Sequence, residues 1–493
     1  MRLSNLLSYI QTEFSYNGPD PDILAVTSDS RNCTDGALFA AFAGSLHDGH
    51  DYIEQAIANG AVCILAEREF EIDTAQIALI VAADARAIFA QICSQFWPAR
   101  PDMVVGVTGT NGKTSTCQYL HQIWRKSAWA AASMGTLGIT GLDGHISPSK
   151  EELTTQSAEY FFSAIAEQKA KGISHLAFEA SSHGLAQNRL AGLGVNVAVF
   201  TNLTHDHLDF HGDMDSYFDA KAKLFDDTLL EGGTAIINID DSYGRKLVKR
   251  LSGRHIVLWT VAKDRPADFR MSDFTLQPFG ADITIDARGQ SYHLAIALSG
   301  QPQAINAVMA AVAAHASGLP LQDSIGALPS LKAVHGRMEA VHGHPKGARI
   351  VVDYAHTPDA LSQALNVLRD ETSGKLSIVF GCGGDRDAEK RPQMGEIAAR
   401  FCDAVFVTDD NPRSEDPALI RKAICSTCPD ADNIASRDDA IKQAIFALQA
   451  GDTLLIAGKG HEMTQTIGTE SLPFDDRAQA RAAISELVAK EAS

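Results

Sequence analysis

The sequence predicts an α/β protein of three domains: a small N-terminal α/β domain over residues 1–98, a central domain on a mostly parallel sheet over 99–330, and a C-terminal α/β domain over 331–493. Three observations carry this. Short apolar strands alternate with helical segments throughout, an order that gives parallel sheets with helices on their faces. Trp97-Pro98 and Arg100-Pro101 break the pattern once, because proline drives its predecessor out of the α region. A glycine turn, Gly109-Thr110-Asn111-Gly112, then joins an apolar strand at 104–108 to a helix opening with Lys113-Thr114.

Composition narrows the function. A formal net charge of -19 excludes a general nucleic-acid or membrane-surface binder, so an anionic ligand must be met by local basic groups or metal ions. Eight cysteines are too scattered for a disulfide framework and lack zinc-type spacing; the CxxC of Cys425 and Cys428 stands alone where the segment 420–428 reads as a helix end. A reducing cytoplasm fits. Residues 1–15 lack the apolar core of a signal peptide, and no stretch reaches the ~18 apolar residues of a membrane span.

In the first domain, strands are expected at 23–27, 38–43, 62–66 and 77–81, and helices at 52–59 and 85–96. The turns at 28–31 and 44–49 lie at strand ends, where α/β folds bind ligands.

The central domain opens with the glycine turn. Glycines at 106, 109 and 112 bring backbone N–H groups close to phosphate oxygens, Lys113 supplies a point charge, and Thr114 can place a hydroxyl on Mg²⁺. A nucleoside triphosphate is the first ligand to consider, and the domain reads as P-loop ATPase-like. The common spacing has glycine five residues before Gly112, where this chain has Val107, so the loop is a variant. Strands at 176–179, 195–201 and 234–238 follow. Two polar clusters, 179–184 and 201–209, leave strand ends on the edge that carries the phosphate loop; their carboxylate and imidazole groups could complete Mg²⁺ coordination.

The C-terminal domain repeats the alternation in a Rossmann-like α/β order. Strands at 349–354, 376–380, 404–408 and 453–457 end in DYAHTP, GCGGDRD, DDNPR and GKGHE, which point at one crevice. GCGGDRD lacks the GxGxxG spacing of a dinucleotide site.

The motifs GTNGKT, EASSHGL, TNLTHDHLDFHGD, GRME, DYAHTPDAL, GCGGDRD, DNPR and GKGHE occur in that order, and together they resemble the Mur ligase family of peptidoglycan synthesis over nearly the whole chain. The resemblance implies a cytoplasmic, monomeric, ATP-dependent amide ligase. It would add meso-diaminopimelate to the D-glutamate γ-carboxylate of UDP-N-acetylmuramoyl-L-alanyl-D-glutamate through an acyl phosphate. The three domains would bind the UDP substrate, ATP and the amino acid in turn, with small molecules as the only partners, neither nucleic acid nor membrane.

Matched motif by motif, the ATP site would hold Gly109, Thr110, Asn111, Gly112, Lys113, Thr114, Ser115, Asn306, Arg337 and Asp353. Lys113, Glu179, His207 and a carbamylated Lys221 would be catalytic, with Thr114, Glu179, His207 and Lys221 around Mg²⁺. The UDP substrate would meet Ser28, Ser30, Ser45, Leu46, His47, Thr154, Thr155, Ser181, Gln187 and Arg189. Arg386, Asp410, Asn411, Pro412, Arg413, Gly458 and Glu462 would receive meso-diaminopimelate, whose distal carboxylate suits the Arg413 fork. Two alternatives stay open: the same reaction with L-lysine, and a ligase like folylpolyglutamate synthetase, which should lack the first domain and DNPR.

Overall fold

The computed structural model describes residues 1–10, 12–44, 47–148, 151, 153–277 and 280–491. Two compact units contain them: Met1–Leu203 with His207–Val261 and Met309–Ser324, and Thr204–Asp206 with Ala262–Val308 and Ile325–Ser493.

The first unit carries two sheets. Near the N-terminus, Ser15–Asn17, Ala78–Val81, Ala61–Ala66, Ala37–Ala41 and Ala25–Thr27 lie side by side in that order, all parallel except the first. The helix Ala85–Phe96 begins where the Asp84 carboxylate accepts the Ala87 N–H, a side-chain cap of the kind that stabilises a first turn. It buries Ile88, Phe89 and Ile92 in a core shared with Phe161, Phe162 and Phe178.

In the second sheet of this unit, Met103–Thr108 sits centrally, between His175–Glu179 and Val195–Phe200, with Ala131–Gly135 and Leu229–Asn238 beyond, all parallel. Its sequence, MVVGVT, is apolar on both faces, as a strand covered on both sides requires. Because the strands that follow it in the chain flank it on opposite sides, the loops leaving these three strands meet at a topological switch point, where doubly wound sheets form their crevice.

The second unit holds a six-stranded sheet in the order Glu339–Val341, Arg349–Asp353, Thr453–Ala457, Leu376–Phe380, Ala404–Val407, Asp432–Asn433, with only the first antiparallel. Thr453–Ala457, last in the chain of the parallel strands, inserts between the first two, so that the four polar strand ends read from the sequence do gather at one edge.

The observed fold class is the expected one. Three features differ from the strands and helices read from the sequence. Phe269–Gln277, Gly280–Ala287 and Gln290–Ile296 form an antiparallel meander, whose first strand alternates inward and outward residues with a period of two on either side of an irregularity between Met271 and Asp273. The helix expected over 52–59 starts as a 3-10 turn, Gly49–Tyr52, capped by Asp48, and runs on as Ile53–Ala58. The strand read from 234 begins earlier, as Leu229–Asn238.

Candidate active site

The phosphate loop is shaped by its glycines and by a neighbouring strand end. Gly109 has φ +149° and Gly112 φ +84°, and a Cβ on Gly109 would collide with the Thr201 hydroxyl. From the end of the strand Val195–Phe200, Asn202 holds the loop on three sides: its carbonyl accepts the Thr110 N–H (2.9 Å), its side-chain Oδ1 accepts the Asn111 N–H (2.9 Å), and its Nδ2 donates to the Asn111 carbonyl (3.1 Å). The Thr201 hydroxyl donates to that carbonyl at 2.6 Å. Thr201 and Asn202 open the motif TNLTHDHLDFHGD, but the sequence alone gives them no site role. Their role rests on pairing some ninety residues away in the chain.

The helix Lys113–Lys126 begins at Lys113, whose Nζ donates to the Gly109 and Thr110 carbonyls, each at 2.8 Å. Thr114 and Ser115 are buried in its first turn, and the Thr114 hydroxyl donates to Glu179 Oε2 at 2.9 Å. Glu179 ends the strand His175–Glu179, is itself buried, and accepts the Thr136 N–H on Oε1 (2.8 Å) and the Thr136 hydroxyl on Oε2 (3.2 Å). Gly135 is obligatory there, because a Cβ would overlap the Glu179 side chain.

Lys221 approaches the loop from the other side. It is 1% exposed, its Nζ donates to the Gly109 carbonyl at 2.7 Å, and it lies 4.7 Å from the Tyr217 ring centre. The Tyr217 hydroxyl is 3.0 Å from Thr110 Oγ1, and its ring is 6.2 Å from that of His207. Lys113, Thr114, Glu179, Lys221 and His207 are thereby joined through one loop. Its donor set, a carboxylate, a hydroxyl and an imidazole, suits a hard divalent cation beside phosphates. No group of three His, Cys, Asp or Glu side chains converges among the described residues, so any divalent cation here would draw part of its shell from phosphate oxygens or water.

A second set lies beside Glu179. The Thr155 hydroxyl donates to the Glu179 carbonyl and accepts the Ser181 N–H, both at 2.8 Å, and Thr154 Oγ1 is 3.2 Å from Thr136 Oγ1. Ser181 caps Ser182–Ala186 by accepting the Gly184 N–H. Arg189 donates to Gln187 Oε1 at 2.7 Å and to the Thr155 carbonyl, and burial pushes its guanidinium below its ordinary value. The five residues read for the sugar and peptide end are therefore together. In the N-terminal sheet, the Ser28 hydroxyl and N–H both donate to Glu159 Oε1, whereas the Ser30 hydroxyl is engaged by Gln55 at 3.2 Å. The His47 ring lies 6.5 Å from that of Tyr52. Ser45 and Leu46 lie outside the described residues.

In the second unit, the Arg337 guanidinium lies 4.5 Å over the Tyr354 ring. Asp353 accepts the Met338 and Ala355 N–H groups at 2.7 and 2.8 Å; burial pushes its carboxyl up, with Arg337 opposing. Asn306 is buried in the helix Gln301–Ala316. The loop of Arg337 is clamped by Glu339, which accepts the Gly336 N–H (2.9 Å) and pairs with Arg477 (3.1 Å) and His335 (3.2 Å). Burial raises the Glu339 carboxyl, but these partners outweigh it and hold it down at about 2.

Arg413 adopts φ +50°, unusual for a side-chain-bearing residue, and is pinned there by backbone bonds to Thr466 (3.1 Å) and Gly468 (2.8 Å). Its Nη1 donates to the Gly384 carbonyl at 2.8 Å, and both Arg413 and Arg386 approach Gly383. Glu415 pairs instead with Arg391 (2.8 Å), and Asp416 caps the helix Pro417–Cys425, so neither acid is the partner of Arg413. Pro412 is buried between Asn411 and Arg413; Asn411 Nδ2 donates to Glu462 Oε2 at 2.8 Å, and a Cβ on Gly458 would lie 2.7 Å from Asp410 Oδ2. The residues read for the amino acid thus occupy adjoining loops.

A phosphate loop at a switch point beside a buried carboxylate defines a nucleotide-using α/β enzyme, and comparison with known proteins narrows this. The chain matches the catalytic domain of the Mur ligase family over residues 22–97, the Mur ligase middle domain over 107–314 and the Mur ligase glutamate ligase domain over 336–460. A UDP-N-acetylmuramoyl-L-alanyl-D-glutamate--2,6-diaminopimelate ligase of Caulobacter vibrioides is 42% identical over 465 residues, 93% of this chain and 95% of that protein. A solved structure of a ligase of that name is 33% identical, with a TM-score of 0.68 over 94% of this chain and 95% of its own. Folylpolyglutamate synthase of Mycobacterium tuberculosis, complexed with ADP, shares the fold at 19% identity and a TM-score of 0.62, over 76% of this chain and 92% of that one. The chain belongs to the Mur ligase family, whose members are ATP-dependent ligases.

Proposed function

We propose that the protein joins meso-diaminopimelate to the γ-carboxylate of UDP-N-acetylmuramoyl-L-alanyl-D-glutamate with conversion of ATP to ADP and phosphate, in the cytoplasm, with domains at 1–98, 99–330 and 331–493. The observation that carries this reading is the placement of Arg413 and Glu462 on the loops that flank Asn411, whose side chain bonds Glu462 and which lies two residues before Arg413, a cation and an anion suited to the distal carboxylate and ammonium of a diamino diacid.

A carboxylate does not accept an amine at neutral pH. One γ-carboxylate oxygen attacks the γ-phosphorus and ADP departs, leaving an acyl phosphate. The amine then attacks the acyl carbon, loses a proton and expels phosphate, which keeps that oxygen. Two anions must first be brought together, so positioning and charge neutralisation dominate. The loop N–H groups and Lys113 would hold the β- and γ-phosphates, and Arg337 and Asp353 would meet the nucleotide. Thr154, Thr155, Ser181, Gln187 and Arg189 would hold the peptide end of the UDP substrate. Mg²⁺, held by Thr114, Glu179 and His207, would neutralise phosphate charge when bound. Lys221, buried against the loop, would serve as a carbamate: CO₂ adds to its neutral amine with loss of a proton, turning a cation into an oxygen donor.

With the γ-carboxylate labelled with ¹⁸O, the released phosphate should carry one label per amide formed. Unlabelled phosphate, or no dependence of ADP release on the UDP substrate, would contradict the reading.

A further inference from the structure

Lys459 stands between two left-handed glycines, Gly458 at φ +109° and Gly460 at φ +54°. Neither has room for a side chain: a Cβ at Gly460 would meet Tyr354 Cβ at 2.7 Å, and one at Gly458 would meet the Asp410 carboxylate at 2.7 Å. The turn they make drives the lysine inward to zero exposure, so its ammonium reaches no ligand directly. A buried ammonium must be paired and hydrogen-bonded. Nζ donates to Asn411 Oδ1 and to Glu462 Oε2, each at 3.1 Å.

Asn411 closes a triangle, its Nδ2 donating to the same Glu462 oxygen at 2.8 Å while its Oδ1 also accepts the Thr466 N–H at 2.9 Å. Two donors therefore fix one oxygen of Glu462. The other, Oε1, makes no hydrogen bond among the described residues, on a side chain 32% exposed.

We infer that Lys459 is a positioning residue for amino-acid selection: with Asn411 it holds Glu462 by Oε2 so that Oε1 is presented to the distal ammonium of a diamino acid. The inference rests on the proposed amino-acid pocket. Lys459 acts through Glu462, and its removal should matter only while that carboxylate is present.

The test is steady-state kinetics of the full chain with ATP, UDP-dipeptide and meso-diaminopimelate varied in turn, for Lys459→Met, Glu462→Gln and the double variant. Lys459→Met should raise KM for meso-diaminopimelate about ten- to hundredfold, the loss expected when a charged hydrogen-bond partner is removed, with kcat and the other two KM values near wild type. In the Glu462→Gln background the same change should add little. If Lys459→Met loses its cooperative thermal transition, Lys459→Gln, which keeps a donor without the charge, is read through the same cycle and should give a smaller rise. Equal rises in all three KM values, or the same factor in both backgrounds, would mark a packing defect and overturn the inference. If Glu462→Gln raises KM and Lys459→Met does not, the role of the lysine falls while the pocket stands. If Glu462→Gln itself leaves KM unchanged, the pocket reading falls first.

Discussion

Arg413 departs from the amphipathic rules that govern most arginines, because its guanidinium is anchored by a backbone carbonyl in place of a carboxylate, and its backbone is held in a strained conformation. In the proposed pocket its charge, with Asp385 nearby, would meet the distal carboxylate of the substrate. L-lysine lacks the distal carboxylate and would leave the fork unpaired, a penalty of roughly 2–4 kcal/mol, or some tens to hundreds fold. Arg413→Ala should erase that preference, read as the ratio of kcat/KM for the two amino acids; an unchanged ratio would remove Arg413 from the pocket. His461 makes a different prediction. Burial first, then Arg337, His335 and His356, push its imidazole from 6.5 down to about 3. Between those values the unfolded chain binds a proton that the folded one does not, so stability is present above pH 6.5 and is lost as pH falls toward 3. Urea midpoints measured downward from that pH should therefore fall less steeply for His461→Gln than for wild type; an equal slope would sink the assignment. The DNPR motif, through its resemblance to the Mur ligases, made Arg413 legible in the sequence. Lys459 was not, since its partner Asn411 is 48 residues away and the GKGHE motif does not say which of its side chains turns inward.

The phosphate loop illustrates the element scale. Strand, glycine turn and helix were readable because they are local: an apolar run, two positions needing positive φ, and a helix burying Cys117, Leu120, Ile123 and Trp124 on one face. The buttress from Thr201 and Asn202 was not, because it depends on which strand lies beside which. The antiparallel meander escaped for a related reason: alternating strands embedded in a strand-helix order are judged against the surrounding pattern. Asn202→Ala removes two side-chain bonds to Asn111 and should raise the dissociation constant for ATP about tenfold by calorimetry. Gly109→Ala, which sets a methyl against Thr201 at φ +149°, should abolish ATP binding while the UDP substrate still binds. Tight ATP binding by Gly109→Ala would mean that the loop does not cradle phosphate as described.

For the whole molecule, a net charge of -19 coexists with a reaction that handles several anions, so in the proposed sites the work would fall to a few placed cations, among them Lys113, Arg337 and Arg413. Salt should then weaken substrate binding only modestly, since these contacts are close-range and partly buried, with screening confined to exposed charges. The central claim is a specific ligation, and one measurement tests it most directly: purified protein, ATP, Mg²⁺ and UDP-N-acetylmuramoyl-L-alanyl-D-glutamate, with meso-diaminopimelate or L-lysine supplied separately, and the UDP-product and ADP both followed. Stoichiometric ADP and UDP-tripeptide with meso-diaminopimelate, and far slower formation with L-lysine, is the predicted result; equal use of the two amino acids, or ADP release without any amide, would contradict it.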